Sequence, residues 1–349
     1  MKILYGIQGT GNGHVARARE ILPELKKHAQ VDVILSGNQS QLDLGFEVNY
    51  QSEGLTFKSS KKGRIAYLKS IFTSSPIDLI RDIRQLPVKK YDLVISDFEP
   101  VSSWSALING VPCIEMSHQA AVSHALAPKP TTIDRIGSYV LSHYSPAKKK
   151  YGFHFESFAQ DIFTPVIRKD VRLLNPENQG YYSVYLPFYA DEYLIRFLQQ
   201  FDVKWHLFSK SAKGIAQHKN VQVQPIENAA FLKSLEKCEG VLCGAGFELP
   251  SEALFLGKKL MVIPMHGQYE QQCNAAALQA IGIDVLDSLD LIHHRTINYW
   301  IGKPCHKNMT NYPDQTDLII EGVISEFENH LIQSEISAPS RMELLRYFI

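Results

Sequence analysis

The feature that most constrains this chain is a rhythm: short apolar runs alternate with longer amphipathic stretches from end to end. The runs Ile3–Gly6, Val31–Leu35, Leu93–Ser96 and Pro112–Met116 read as buried strands. Between the first two lies 14–27, where Val15, Ala18, Leu22 and Leu25 recur at helical spacing. The rhythm restarts with Tyr182–Leu186, Val203–Phe208, Val221–Val223, Gly240–Cys243 and Leu260–Pro264. Strand–helix alternation puts helices on both faces of a parallel sheet, and 349 residues exceed one ordinary domain. The expectation is α/β, with two doubly wound, Rossmann-like domains. The expected division is 1–164, 165–336 and a last helix in 337–349, returning to the first domain.

Composition removes several function classes. Lys and Arg number 36 against 36 Asp and Glu, so no net field draws the chain to nucleic acid. The five cysteines are odd in number, scattered, and form no CxxC pair, so neither a disulfide framework nor a zinc site is expected. The first apolar run is too short for a signal peptide, and none approaches the ~20 residues of a membrane helix. That points to the cytoplasm. The segment 57–71 carries Lys58, Lys61, Lys62, Arg64 and Lys69 between Phe57, Ile65, Tyr67, Leu68 and Ile71. It reads either as a solvated loop or as a contact for an anionic membrane surface on the inner face of the membrane.

Each half has one glycine loop after an apolar strand. The first runs Gly9-Thr10-Gly11-Asn12-Gly13-His14. It misses the dinucleotide fingerprint, because His14 stands where the third glycine belongs. An imidazole opening a helix beside a glycine turn suits a base near neutral pH. The second loop, Gly244-Ala245-Gly246-Phe247, precedes a helix with Pro250 in its first turn. Free amides at such a helix start receive a diphosphate. Glu252 is placed to hold a ribose diol, and Gln271 with Gln272, beyond the strand ending at Pro264, to read sugar hydroxyls.

The stretch 241–282 resembles the donor-binding region of nucleotide-sugar glycosyltransferases with the two-domain GT-B fold, in which two Rossmann-like domains face each other across a cleft. It is most similar to the MurG-like and UDP-glycosyltransferase groups, through the glycine loop, Glu252, Gly257, Pro264, Gln271-Gln272 and Asn274-Ala275. The loop 9–14 is similar to the acceptor-side loop of the same families. The long plant signature with paired tryptophans is absent, as is the full MurG-like acceptor loop. The resemblance implies a UDP-sugar donor held by Gly11, Gly13, Ile226, Gly244, Ala245, Gly246, Phe247, Glu252, Gln271 and Gln272. It implies catalysis by His14 oriented by Asp97, with Thr10, Asn12, Glu99, His118 and Gln119 on the acceptor side. Asp97 has a competing reading as a helix cap, and Glu99 is the rival partner for His14. The acceptor would be a glycan or lipid-linked molecule. With no Asp-x-Asp pair, the diphosphate would be neutralised by the helix start, and neither metal nor cofactor is expected. A non-transferring UDP-sugar 2-epimerase shares the fold and would draw on Glu99, Glu115 and Glu248.

Overall fold

A computed structural model describes residues 1–37, 44–53, 76–304 and 310–337. The first sheet is built from β1 (Lys2–Gln8), β2 (Gln30–Ser36), β3 (Tyr50–Ser52), β4 (Leu93–Asp97), β5 (Cys113–Ser117), β6 (Lys149–Phe153) and β7 (Ile162–Phe163). Its order is β3-β2-β1-β4-β5-β6-β7, parallel throughout. The helices between and after them are α1 (Asn12–His28), α2 (Pro76–Gln85), α3 (Pro100–Asn109), α4 (His118–Ser123), α5 (Arg135–His143) and α6 (Lys169–Arg172). Residues 3–8 of β1 and every residue of β4 are buried, because helices cover both faces; that is why these strands read as unbroken apolar runs.

The second sheet contains β8 (Tyr181–Tyr185), β9 (Lys204–Ser209), β10 (Ala216–His218), β11 (Val221–Pro225), β12 (Gly240–Gly244), β13 (Lys259–Ile263) and β14 (Asp284–Val285). Its order is β10-β11-β9-β8-β12-β13-β14, and only the edge strand β10 runs antiparallel. Its helices are α7 (Asp191–Leu198), α8 (Asn228–Lys237), α9 (Glu248–Phe255), α10 (Tyr269–Ala280) and α11 (His294–Gly302). All nine strands expected from the sequence are present. The two lobes are α/β and doubly wound.

The chain then crosses back. Helix α12 (Thr316–Ser337) packs on α1, burying Ile319, Ile320, Val323, Ile324 and Phe327. At roughly 1.5 to 3 kcal/mol per buried apolar side chain, this helix is a substantial clasp between the lobes. Tyr151 on β6 donates its hydroxyl to Glu326 on the same helix. The helix expected at 340–349 and the basic segment 57–71 lie outside the described residues.

Strand order reverses between β1 and β4 in the first sheet and between β8 and β12 in the second. Loops diverge at such reversals and leave a crevice at the carboxyl ends of the strands. Both glycine loops lie at these two points.

Candidate active site

In the first lobe β1 lies beside β4 with Ile7 opposite Asp97, so the loop after β1 and the end of β4 share one edge. Gly11 caps α1 in an extended conformation and has no side chain to bond the first amides. His14 follows in the first turn. Its Nδ1 is 2.9 Å from Oδ1 of Asp97. The histidine is 14% exposed and the aspartate is fully buried.

Glu99 has a different fate. Its carboxylate accepts from the amides of Val101 and Ser102, each at 2.7 Å, and from the Ser36 hydroxyl. The helix cap is therefore Glu99, and the histidine's partner is Asp97. Phe98 between them sits at φ 55°, an unusual conformation for a bulky residue. It turns the chain so that the two acids face opposite ways, with its ring held on Tyr144 at 4.8 Å. Glu99 thus caps α3 inside the first lobe and does not stand on the acceptor side.

Arg17, one turn after His14, went unnoticed in the sequence. Its Nε and one terminal nitrogen donate to both oxygens of Asp97, at 3.1 and 2.7 Å. Its other terminal nitrogen donates to Glu248 of the second lobe. Burial alone would raise the Asp97 carboxyl, but Arg17 and His14 outweigh it and leave it below the usual aspartate range. The i, i+3 spacing of His14 and Arg17 was the signal that could have found it.

His118 is buried. Its Nδ1 lies 2.8 Å from the Phe153 carbonyl and Nε2 lies 2.7 Å from Oδ1 of Asn274. The ring stacks on Phe247 at 3.9 Å, and burial, then His154, pushes its pKa down to about 3. His118 is an interlobe strut and not a wall of the cleft. Gln119 stays close to His14: its Nε2 is 3.4 Å from Nε2 of that ring and donates to Glu270 at 3.1 Å.

Between the lobes lies a cleft of about 650 Å³. Thr10, Gly11, Asn12 and Gly13 line it from the first lobe. Ile226, Gly246, Phe247, Glu252 and Gln271 line it from the second. Phe247 caps α9 without a side-chain bond to its amides, so that helix start opens on the cleft. The remaining donor-side residues fall elsewhere. Ala245 is buried, its amide donates to Ile263 and its carbonyl accepts from Asn274, so it braces the loop. Gly244 lies beneath Phe188, which would stand 3.0 Å from any Cβ there. Gln272 is turned away from the lining by the helical twist of α10, and Glu270 faces the first lobe in its stead.

Glu252 is not idle. Arg168, from the crossover between sheets, donates to both its oxygens at 2.5 and 2.9 Å, and to Asn228 at 3.0 Å. Arg168, Arg19 and Lys210 supply cations to the cleft. Glu115 is buried in the first lobe beside Lys150, 2.6 Å away. Of the three carboxylates that an epimerase would draw on, Glu248 alone lines the cleft. Among the described residues no group of three or more His, Cys, Asp or Glu is gathered to hold a metal ion.

Known proteins agree with this architecture. The chain superposes on Arabidopsis thaliana UGT89C1 complexed with UDP-L-rhamnose at 12% identity, over 93% of this chain and 98% of that one, with a TM-score of 0.60. The glycosyltransferase SsfS6 of Streptomyces sp. SF2575, complexed with thymidine diphosphate, is 16% identical over 93% and 99%, with a TM-score of 0.55. The glycotransferase of kitacinnamycin is 14% identical over 94% and 95%, at 0.53. At these identities the likeness is one of fold, and the fold is GT-B. No curated protein matches the chain. The model of glycosyl transferase family 1 matches residues 1–303, and with that the chain is a member of glycosyl transferase family 1, a glycosyltransferase.

Proposed function

We propose that the protein transfers a sugar from a UDP-sugar to an acceptor hydroxyl, with inversion and without a metal. The observation that carries the reading is the His14–Asp97 hydrogen bond, set beside a cleft whose opposite wall is the open start of α9. With Nδ1–H donated to Asp97, the lone pair of His14 is on Nε2, the nitrogen that faces Gln119. There it takes the proton of the acceptor hydroxyl as that oxygen attacks the anomeric carbon. The bond from that carbon to the diphosphate breaks on the opposite face, and the nucleoside diphosphate leaves with the electron pair. Asp97 keeps the imidazole in the required tautomer and stabilises the cation that forms.

The departing diphosphate meets the amides of Gly246 and Phe247 and the positive end of α9, with Lys210 nearby. Glu252 trades its bonds with Arg168 for the ribose hydroxyls, and Ile226 lies where backbone atoms meet the base. Gln271 and Glu270 are placed for the sugar. In this reading the first lobe is the acceptor domain and the second lobe the donor domain. The acceptor is a glycan or a lipid-linked molecule.

The test is incubation with a panel of nucleotide sugars. Nucleoside diphosphate released only when an acceptor is added supports transfer. Conversion of the donor to its epimer without an acceptor overturns it.

A further inference from the structure

Arg17 stands at the junction of everything that touches the proposed base. It is 2% exposed. The terminal nitrogen that it gives to Asp97 is also 3.1 Å from Nδ1 of His14. Its remaining terminal nitrogen leaves the first lobe altogether and bonds Glu248, in the first turn of α9. Glu248 reaches it across Gly13, where a Cβ would stand 2.6 Å from Oε2. The lack of a side chain at Gly13 is what leaves room for this crossing.

The charges around the imidazole divide by lobe. The first lobe supplies Asp97 from β4, Arg17 from α1 and the buried, neutral His118 from α4. One anion there faces one cation. The second lobe adds two carboxylates, Glu248 bonded to Arg17 and Glu270 behind Gln119. A guanidinium beside an imidazole disfavours the imidazolium, and a carboxylate that neutralises the guanidinium restores it.

We propose that Arg17 is a positioning residue that ties the proton affinity of His14 to the contact between the lobes, with Glu248 as the carboxylate that offsets its charge. This rests on His14 being the base. The contact spans the two lobes, so Glu248 offsets Arg17 only while the second lobe stands against the first.

The experiment is an NMR titration of the His14 ring in the full-length protein without added ligand, the resonance being assigned by its loss in His14→Ala. Glu248→Gln should lower the midpoint, and Arg17→Met should raise it. Gly13→Ala, which displaces the carboxylate without removing it, should move the midpoint in the direction of Glu248→Gln. Should Arg17→Met not fold, the two other variants carry the test. An unchanged midpoint in Glu248→Gln, or a fall in Arg17→Met, overturns the proposal. A purely structural Arg17 would lower the melting temperature and leave the midpoint in place. The titration needs neither acceptor nor turnover, so it stands or falls separately from the assignment of His14 as base, which His14→Ala turnover tests.

Discussion

Each lobe buries an arginine–carboxylate pair beside the cleft, Arg17 with Asp97 in the first and Arg168 with Glu252 in the second. Both are two-pronged, with both carboxylate oxygens engaged. Their electrostatics nevertheless diverge. Asp97 has two nitrogen partners, Arg17 and His14, and together these overcome burial and hold it below the usual range. Glu252 has Arg168, while burial, with Glu248 and Asp170 adding to it, keeps its carboxyl above the usual glutamate range. One pair is a fixed anion that steers an imidazole. In the proposed reading the other is a buried carboxylate that exchanges its arginine for the neutral hydroxyls of a ligand.

The sharpest way to break that division is through turnover. His14→Ala should lower kcat by about 10² to 10⁴, the usual worth of a positioned base, with the donor KM near wild type. Asp97→Asn should lose less in the same direction, and the double variant should not multiply the two losses, because the pair acts as one unit. Steady-state kinetics at saturating donor and acceptor decide this; wild-type kcat in the alanine variant would end the assignment.

The second pair should answer to binding and not to kcat. Glu252→Ala should weaken UDP binding by about 1 to 3 kcal/mol, the cost of a lost hydrogen bond to a charged group. Asp97→Asn should leave UDP affinity as it was. Calorimetry with UDP measures both, and equal losses in the two variants would dissolve the distinction between a steering and a ligand-holding carboxylate.

Much of this was legible because buried parallel strands announce themselves. β4 and β12 are short apolar runs ended by a turn, and Asp97 and the second glycine loop of the proposed site stand at their carboxyl ends. What escaped was short or local in disguise. β3, β7 and β14 have two or three residues, too few to show a period. β10 is wholly exposed, and the lysines of β6 concealed a strand whose Lys150 neutralises the buried Glu115. In the site, His14 and Asp97 could be read from adjacent strand ends. Asp97 and Glu99, two residues apart, could not be told from each other until the left-handed Phe98 separated them. Arg168 and Glu252 are 84 positions apart, and Arg17 and Glu248 are 231 apart. No local pattern signals pairs made by residues so far apart in the chain.

The smallest expected effect is in the pH dependence of stability, and it tests the comparison at its root. Asp97 in the folded chain ionises below its unfolded value of about 3.9, so the stability it contributes is present above that value. That contribution is lost as pH falls through the lowered folded value. Glu252 has the opposite sign. The folded chain takes up its proton before the unfolded chain does, so ionised Glu252 costs stability at neutral pH. The cost is relieved as pH falls through the raised value towards about 4.3. Urea unfolding across this range should therefore show two windows. Above about pH 4.3, the wild type should gain stability on Glu252→Gln as the solution is acidified. Below about pH 3.9, its advantage over Asp97→Asn should shrink. Each unit by which a folded value departs from the unfolded one is worth about 1.4 kcal/mol, which sets the scale of both slopes. Parallel slopes for the two variants would mean that the buried pairs are electrostatically alike, and the contrast between a fixed anion and an exchangeable one would have no basis.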